Sequence, residues 1–250
     1  MKSPPKTILI LGASSAIAQA TARQLANTQT HFLLVGRDEE RLKAIANDLE
    51  QRTKCKAGYY ATELVDTSQH AQLLDHAVKV LGTKIDCTLI AYGTLPDQSS
   101  TQDDPKATLE SFQVNFNSPA SLLTHLATHY QQQQSGTIAV ITSVAADRGR
   151  KTLYTYGAAK SALSAFTDGI RGRLLPHNVQ VLNIKPGVID TPMTAHIQKG
   201  LLASTPEKVA GDIQKAIQKG KDILYTPRRW QLIMFIIRHI PERIFKKLTI

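Results

Sequence analysis

The sequence predicts an α/β fold: a seven-stranded, mostly parallel, doubly wound sheet with helices on both faces, followed by a C-terminal amphipathic helical tail. Short strand-like runs alternate with helical stretches, which is the pattern of a parallel sheet wrapped by helices. The runs are continuously apolar, as expected for strands covered on both faces. The predicted strands are Thr7–Leu11, His31–Val35, Ala57–Tyr60, Cys87–Ala91, Thr137–Thr142, Val179–Ile184 and Asp222–Tyr225.

The intervening helices have signals of their own. An apolar stripe of helical spacing runs from Leu163 to Leu174 and ends before Pro176, and Ser-Thr-Pro-Glu at 204–207 is typical of a helix start. The length of 250 residues, with 42% apolar and 20% charged residues, suits a folded protein with a sizeable core. We expect one α/β domain over residues 1–226 and a basic amphipathic tail over residues 227–250.

Cysteine content and the first residues bear on the cellular compartment. Cys55 and Cys87 belong to no Cys-x-x-Cys pair or Cys/His cluster, so we expect neither a disulfide framework nor a metal site. The first apolar run has only five residues before a glycine turn, which is too short for a signal peptide. The sequence therefore predicts a cytoplasmic protein.

The net charge of +10 would suit an anionic partner, including nucleic acid. The charge is unevenly distributed, however. Residues 221–250 contain seven Lys or Arg against one Asp and one Glu, which gives +5, half of the total. The positive charge is therefore concentrated in the tail, and we expect no nucleic-acid partner.

A loop of small residues, Gly12–Ala18, follows the first strand and precedes a helical stretch. Backbone N–H groups at a helix N-terminus attract phosphate, and small residues let the backbone approach it, so a dinucleotide pyrophosphate would fit here. Ala16 and Ala18 stand where the strong form of this motif has glycines. A plain tight turn would use the same residues, and this segment alone leaves both interpretations open.

The second strand ends in Val35-Gly36-Arg37-Asp38, where the adenosine ribose of a dinucleotide would lie. Gly36 stands where an acidic residue would bind a free 2′-hydroxyl, and the forked guanidinium of Arg37 suits a 2′-phosphate. This favours NADP over NAD. Arg37 could instead pair with Glu40 on a solvated face, and Asp38 leaves room for a ribose contact.

The strongest functional signal is the spacing of Ser143, Tyr156 and Lys160 along the chain. Tyr156 and Lys160 lie four residues apart, one helical turn, and Ser143 lies thirteen residues earlier at the end of an apolar run. A phenol titrates near ~10, so a neighbouring ammonium that favours its ionised form would make Tyr156 usable as an acid or base at neutral pH.

Together these pieces resemble the short-chain dehydrogenase/reductase family over the chain up to about residue 226. The resemblance implies a three-layer Rossmann fold and an NAD(P)-dependent oxidoreductase. It makes Tyr156 the proton donor to the substrate oxygen, Ser143 a hydrogen-bond partner of that oxygen, Lys160 a ligand of the nicotinamide ribose and Asn115 the residue that orders a relay water. The cofactor residues that it implies are Gly12, Ser14, Ser15, Ala16, Ile17, Arg37, Glu63, Leu64, Ala91, Gly93, Tyr156, Lys160, Pro186, Gly187, Val188 and Thr191.

Two departures from the family pattern affect the cofactor site. Ala16 and Ala18 replace glycines, and Ala91-Tyr92-Gly93 replaces the usual Asn-Ala-Gly. Neither departure removes a proton-transfer residue.

A basic loop, Asp147-Arg148-Gly149-Arg150-Lys151, lies between Ser143 and Tyr156 and therefore close to the reacting carbon. Since arginine recognises phosphate well, we expect Arg148 or Arg150 to bind a phosphate on the substrate. A salt bridge to Asp147 or to a neighbouring subunit is the alternative. Tyr154 has no lysine four residues later, so we assign it to the substrate pocket wall or to packing.

In the tail, apolar residues recur at helical spacing from Trp230 to Leu248, among clustered Arg and Lys side chains. The apolar block is shorter than the ~20 residues that span a bilayer, so it would lie on a membrane surface, where the basic residues would attract anionic lipid. This predicts a peripheral location on the inner face of the cell membrane. The alternative is a helix that closes the substrate pocket or an oligomer interface, and both could hold.

The loop and tail also resemble the branch of the family that contains the decaprenylphosphoryl-2-keto-pentose reductase. This resemblance implies a 2-keto sugar on a polyprenyl phosphate as substrate and a flavin oxidase as partner, and the family implies a homodimer or homotetramer. The alternatives are a reductase of a soluble or acyl-thioester ketone and a non-catalytic NADP-binding protein that docks on a membrane.

Overall fold

Seven parallel strands form the centre of the molecule. The computed structural model describes residues 3–195 and 200–248. Within these residues, the sheet has the order β3-β2-β1-β4-β5-β6-β7 and every neighbouring pair is parallel. The strands are β1 Thr7–Leu11, β2 His31–Gly36, β3 Lys56–Ala61, β4 Cys87–Ile90, β5 Gly136–Ile141, β6 Val179–Pro186 and β7 Ile223–Thr226. All seven predicted strands are confirmed, and each predicted end lies within two residues of the observed one.

Helices connect the strands and extend beyond the last one. They are α1 Ala16–Leu25, α2 Glu39–Thr53, α3 His70–Leu81, α4 Gln98–Thr101, α5 Pro105–Phe112, α6 Ser118–Gln133, α7 Tyr154–Leu174, α8 Pro206–Gln218, α9 Arg229–His239 and α10 Glu242–Phe245. The predicted helix start at 204–207 is confirmed, since the Thr205 side chain accepts a hydrogen bond from the backbone N–H of Lys208.

Two apolar clusters make the molecule three-layered. On one face of the sheet, α1, α2 and α8 pack on residues such as Ile10, Phe32 and Leu34. On the other face, α3, α6 and α7 pack on residues such as Leu9 and Val140. Successive strand residues point to opposite faces, so continuously apolar strands supply both clusters. The predicted three-layer α/β fold is confirmed.

The order of the strands also positions the functional site. The chain runs outward from β1 to β3 and then returns to the other side of β1 with β4. The crossovers on either side of this reversal leave a crevice at the carboxyl ends of the strands, which is where ligands bind in doubly wound sheets.

Candidate active site

A cavity of about 630 Å³ opens at this reversal point. Its walls include all four residues predicted for catalysis, Asn115, Ser143, Tyr156 and Lys160. They also include each of the sixteen residues predicted to contact the cofactor, from Gly12 on the first loop to Thr191 after β6. Residues spread over most of the sequence are thus brought to one edge of the sheet.

The loop after β1 packs closely against the chain after β4 at Gly12. Gly12 has a φ of +87°, and a Cβ at this position would lie 2.6 Å from the Cβ of Tyr92, so glycine is required. The loop leads into α1 at Ala16, and within the described chain the Ser15 side chain does not cap this helix. Ser15, Ala16 and Ile17 at the start of α1 line the cavity, and a helix N-terminus without a side-chain cap suits a pyrophosphate.

Tyr92, one of the departures from the family pattern, lines the cavity beside Gly12. Its hydroxyl is 2.6 Å from the Ser118 hydroxyl at the start of α6, and burial raises the pKa of the Tyr92 phenol. Its hydroxyl is therefore anchored to α6 rather than to the cavity.

Two arginines and one capped helix form the end of the cavity beyond β2. Arg37 and Arg41 both line the cavity, and the Arg41 guanidinium donates a hydrogen bond to the Ser14 carbonyl oxygen at 3.2 Å. The Asp38 carboxylate caps α2 by accepting from the backbone N–H of Arg41 at 3.0 Å. The sequence reasoning missed Arg41, although its position one turn after Arg37 was the signal that could have found it.

Ser143 and Tyr156 face each other across the cavity floor. Ser143 follows β5, and its hydroxyl accepts a hydrogen bond from the backbone N–H of Ala145 at 3.0 Å. Tyr156 lies in the first turn of α7, and the Ser143 hydroxyl is close enough to its phenol to influence the pKa of Tyr156. Loss of solvent around the phenol raises the pKa of Tyr156 to about 12, and the Ser143 hydroxyl opposes this rise only in part. Tyr156 is therefore a proton donor throughout the neutral pH range.

Lys160 lies one turn further along α7 and is buried, with 3% of its surface exposed. Its ammonium donates a hydrogen bond to the Ile141 carbonyl oxygen at 3.3 Å and lies 5.8 Å from the centre of the Tyr156 ring. Burial lowers the pKa of Lys160 to about 8. The spacing to Lys160 led us to expect a lowered pKa for Tyr156, whereas its net pKa in this structure is raised. Desolvation of the phenol is the largest effect on its pKa, and it acts in the opposite direction.

Asn115 is fully buried in a π-helical turn, Gln113–Asn117, between α5 and α6. Its carbonyl oxygen accepts from the backbone N–H of Thr94 at 3.1 Å, and its amide nitrogen donates to the Ser111 carbonyl oxygen at 3.1 Å. Such turns are frequent at functional sites because they redirect side chains. The water-ordering role implied for Asn115 stays a prediction.

The two arginines of the basic loop differ in their contacts. Arg148 donates hydrogen bonds to the carbonyl oxygens of Ile237 and Ile240 at the end of α9, forms an ion pair with Glu242 at 2.8 Å and stacks on the Phe245 ring at 3.6 Å. These contacts correct the expectation that Arg148 faces the substrate, because its guanidinium is already occupied by the tail. The alternative pairing with Asp147 is wrong as well, since the carboxylate that Arg148 meets is that of Glu242.

Arg150, in contrast, lines the cavity. Its Nε is buried and has no hydrogen-bond partner among the described residues, and its terminal nitrogen makes a weak donation to the Met234 sulfur at 3.6 Å. Among the residues described, no carboxylate lies within ion-pair distance of Arg150. Burial lowers the pKa of this guanidinium, and Asp147 partly counters the effect. Tyr154 is exposed and lies outside this cavity, in a neighbouring one.

A buried ion pair fixes the loop between these residues. Asp147 accepts from the Lys185 ammonium at 2.6 Å and from the Tyr225 hydroxyl at 2.7 Å. Lys185 and Tyr225 belong to β6 and β7, so the loop is attached to the sheet itself. Breaking such a buried pair is costly, and the loop is therefore held in one position.

The tail forms one wall of the cavity. Trp230 and Met234 of α9 are buried against Val144, and the Trp230 indole lies over Gly187 so closely that a Cβ there would be 1.8 Å from its Nε1. In the described part of the chain, that Nε1 is another buried donor without a partner. The opposite face of α9 exposes Leu232, Phe235 and Ile236. The inner face of the tail thus closes the pocket, one of the alternatives that the sequence leaves open. The sequence shows the amphipathic stripe but not which surface its inner face covers.

With this geometry established, comparison with known proteins identifies the family. The family model described as short chain dehydrogenase matches residues 6–201. The chain belongs to the short-chain dehydrogenase/reductase family. Like other members of the family, it is an oxidoreductase. An uncharacterized oxidoreductase of Streptomyces coelicolor is 28% identical over 99% of this chain and 97% of its own length.

Solved structures of other dehydrogenases share the fold. One from Sphingobium yanoikuyae, in complex with NADPH, superposes with a TM-score of 0.81 at 20% identity, covering 95% of this chain and 97% of that one. A gluconate 5-dehydrogenase from Burkholderia cenocepacia J2315, in complex with NADP and tartrate, also gives 0.81, at 17% identity over 91% of this chain and 95% of that one. At these identities the similarity establishes the Rossmann-type architecture.

Proposed function

We propose that this short-chain dehydrogenase/reductase is an NADPH-dependent reductase of a 2-keto sugar linked to a polyprenyl phosphate. The observation that carries the substrate assignment is the half-buried Arg150, a cation without a carboxylate partner among the described residues, in the wall of the cavity that holds Ser143 and Tyr156. Burying an unpaired cation is unfavourable, so an anionic group of the substrate is its natural partner.

The catalytic residues suit reduction of a ketone. When bound, the nicotinamide supplies hydride to the carbonyl carbon. Negative charge then develops on the carbonyl oxygen, and Ser143 and Tyr156 are two hydroxyl donors on one side of the cavity that can stabilise this charge. Since the pKa of Tyr156 is raised to about 12, its phenol holds the proton that the product alcohol needs. Lys160 supplies a cation below pH 8, which would bind the nicotinamide ribose.

For the cofactor, we propose a preference for NADP over NAD. Arg37 and Arg41 supply two guanidinium groups at the end of β2, where the 2′-phosphate would lie. The Asp38 carboxylate is engaged in capping α2, which weakens its case as a ribose ligand. The NADPH and NADP complexes of structural neighbours support the same preference. Initial rates with NADPH and NADH test it: the Arg37→Asp variant should lose most of the preference, and an unchanged preference would contradict the assignment.

For the lipid, we propose that the outer face of α9 lies on the inner surface of the cell membrane. Leu232 and Phe235 are exposed there, with 65% and 62% of their surfaces accessible, and Arg and Lys side chains surround them. No helix among the described residues is both long and apolar enough to cross a bilayer. Co-sedimentation with anionic vesicles should fall in the Leu232→Gln/Phe235→Gln double variant. Equal sedimentation of variant and wild type would contradict this part of the proposal.

The proposed reaction also requires an enzyme that supplies the keto sugar. A 2-keto sugar on a lipid phosphate arises by oxidation of the corresponding alcohol, and resemblance to the decaprenylphosphoryl-2-keto-pentose reductase branch makes a flavin oxidase the expected partner. The homodimer or homotetramer expected from the family also stays a prediction, and light scattering of the purified protein would test it.

The substrate assignment is tested by following NADPH absorbance with three ketones. These are a 2-keto pentose linked through phosphate to a farnesyl chain, the free 2-keto pentose and a 3-ketoacyl thioester. We expect the lipid-phosphate ketone to give the highest kcat/KM, by about a hundredfold over the free sugar, since the phosphate supplies charge-assisted hydrogen bonds. A higher kcat/KM for the thioester would favour the acyl-thioester alternative, and no turnover of any ketone would favour the non-catalytic one.

A further inference from the structure

A second cavity, of about 310 Å³, lies beside the first between the basic loop and the end of the tail. Arg150 lines both cavities, so the two share a wall at this guanidinium. The remaining walls come from both segments: Gly149, Lys151, Tyr154, Glu242, Phe245, Lys246 and Leu248.

The charges around this second cavity are unbalanced. Arg150, Lys151 and Lys246 are three cations, and Glu242 is the one acidic residue among its described lining residues. Glu242 is already paired with Arg148, which anchors the tail. Within the described part of the chain, none of the three cations lies within 4 Å of a carboxylate. The cavity therefore presents positive charge that its own residues leave uncompensated, which suits a phosphate.

The second cavity also has an apolar side. The Phe245 ring is buried, with 7% of its surface exposed, and Leu248 and the half-exposed Tyr154 lie at the same cavity. Cations beside aromatic and aliphatic surface match a phosphate that carries a hydrocarbon chain better than they match a free ion, which would gain nothing from the apolar side.

We propose that the second cavity binds the phosphate and the first isoprene unit of the substrate, while the keto sugar occupies the first cavity. Arg150 then lies at the junction, where sugar and phosphate meet, and the Lys151 and Lys246 ammonium groups face the phosphate from the side of the lipid. This proposal rests on the proposed function, because it assigns places to the parts of the same substrate.

Calorimetric titration with farnesyl phosphate, which carries no ketone, tests the second cavity without turnover. We expect the Lys246→Gln and Lys151→Gln variants to bind it about tenfold more weakly, as for loss of one charge-assisted contact. Lys247 is exposed beside Lys246 but does not line the cavity, so Lys247→Gln makes the same change in net charge and should keep the wild-type affinity. Equal weakening in Lys246→Gln and Lys247→Gln would show a general charge effect and overturn the proposal.

A second arm uses inorganic phosphate, which should bind at least tenfold more weakly than farnesyl phosphate because it lacks the apolar group. Equal affinity for the two would overturn the lipid assignment. If wild type fails to bind farnesyl phosphate but still reduces the lipid-phosphate ketone, the cavity proposal fails and the proposed function stands. If farnesyl phosphate binds as expected but the ketone is not reduced, the proposed function fails while the lipid-phosphate site is supported.

Discussion

Two parts of the cavity differ in how completely their polar side chains are hydrogen-bonded. One is the floor, formed by Asn115, Ser143, Tyr156 and Lys160, and the other is the wall beside the tail, which contains Arg150 and Trp230. On the floor, Asn115 is hydrogen-bonded at both ends, and Ser143 and Lys160 each have a backbone partner. On the wall, the Nε of Arg150 and the Nε1 of Trp230 are buried donors that find no partner within residues 3–195 and 200–248. Because unmade hydrogen bonds are costly, the wall is suited to receive a ligand, whereas the floor is preorganised for one reaction.

Arg148 and Arg150 show the same contrast at a distance of two residues. Arg148 is held by two carbonyl oxygens, a carboxylate and an aromatic ring of the tail, so its role is to attach the tail to the catalytic loop. Arg150 donates weakly to a thioether and faces both cavities. The type of residue is the same, and the contacts decide which arginine is available to the substrate.

The largest effect is expected on the floor. Replacing Tyr156 by Phe removes the proton donor while preserving the ring, and kcat should fall by about a thousandfold, as for loss of a general acid. Steady-state NADPH oxidation measures the rate, and NADPH fluorescence titration should show only a small loss of cofactor affinity, since the other predicted cofactor contacts are kept. Full turnover by the variant would contradict the catalytic assignment.

The second largest effect is expected at Gly93, which lies against two residues of the floor. A Cβ at Gly93 would lie 2.6 Å from the Asn115 carbonyl oxygen and 3.3 Å from the Lys160 ammonium, so Gly93→Ala must displace both. We expect kcat to fall by about a hundredfold, the usual effect of misplacement by roughly 1 Å. Gly169→Ala is the control, since a Cβ there has open space on α7, and it should keep wild-type activity. Equal rates for both variants would show that the floor is less rigid than described.

The protonation of Lys160 gives a pH-dependent effect on stability. Burial lowers its pKa to about 8, below the unfolded value of 10.5, so the unfolded chain holds more protons between these values and folding stability rises with pH there. Above pH ~10 the raised pKa of Tyr156 acts in the opposite direction. Between pH 8 and 10, the unfolding free energy of wild type should gain about 2 kcal/mol on that of Lys160→Met. Denaturant titrations measure this, and parallel pH profiles would contradict the burial of a charged lysine.

On the wall, loss of Arg148 should loosen the tail without touching the floor. Arg148→Ala removes two carbonyl contacts and an ion pair whose acidic partner is largely exposed, and we expect KM to rise about tenfold with kcat little changed. Hydrogen exchange should accelerate in residues 229–245 and not in α1. Unchanged exchange in the tail would show that other contacts hold it.

The floor could be predicted from the sequence because the chemistry constrains its spacing. Tyr156 and Lys160 need one helical turn between them, and Ser143 needs a strand end, so their separations along the chain are themselves informative. The pKa of Tyr156 could not be predicted, because desolvation depends on walls contributed by distant segments. The spacing to Lys160 predicts a lowered pKa for Tyr156, and desolvation raises the net pKa instead.

The wall was harder to predict because it has no fixed spacing. Arg148 meets residues about ninety positions later, and which of two arginines such a contact occupies depends on tertiary packing. Trp230 is one member of an amphipathic stripe in the sequence, and only the close approach to Gly187 reveals that it faces the cavity. Arg41 was overlooked for a similar reason, since its contact with Ser14 joins α2 to the loop before α1.

If Arg150 binds the anionic group of the substrate while Arg148 holds the tail, replacing each arginine should change one specificity ratio to a different extent. The measurement is kcat/KM for the farnesyl-phosphate-linked 2-keto pentose divided by kcat/KM for the free 2-keto pentose, in wild type, Arg150→Met and Arg148→Met. We expect the ratio to fall about a hundredfold in Arg150→Met, because only the phosphate-bearing ketone loses a direct partner, and to fall no more than about tenfold in Arg148→Met, which only loosens the tail beside the second cavity. An unchanged ratio in Arg150→Met, or an equal fall in both variants, would contradict these roles of the two arginines.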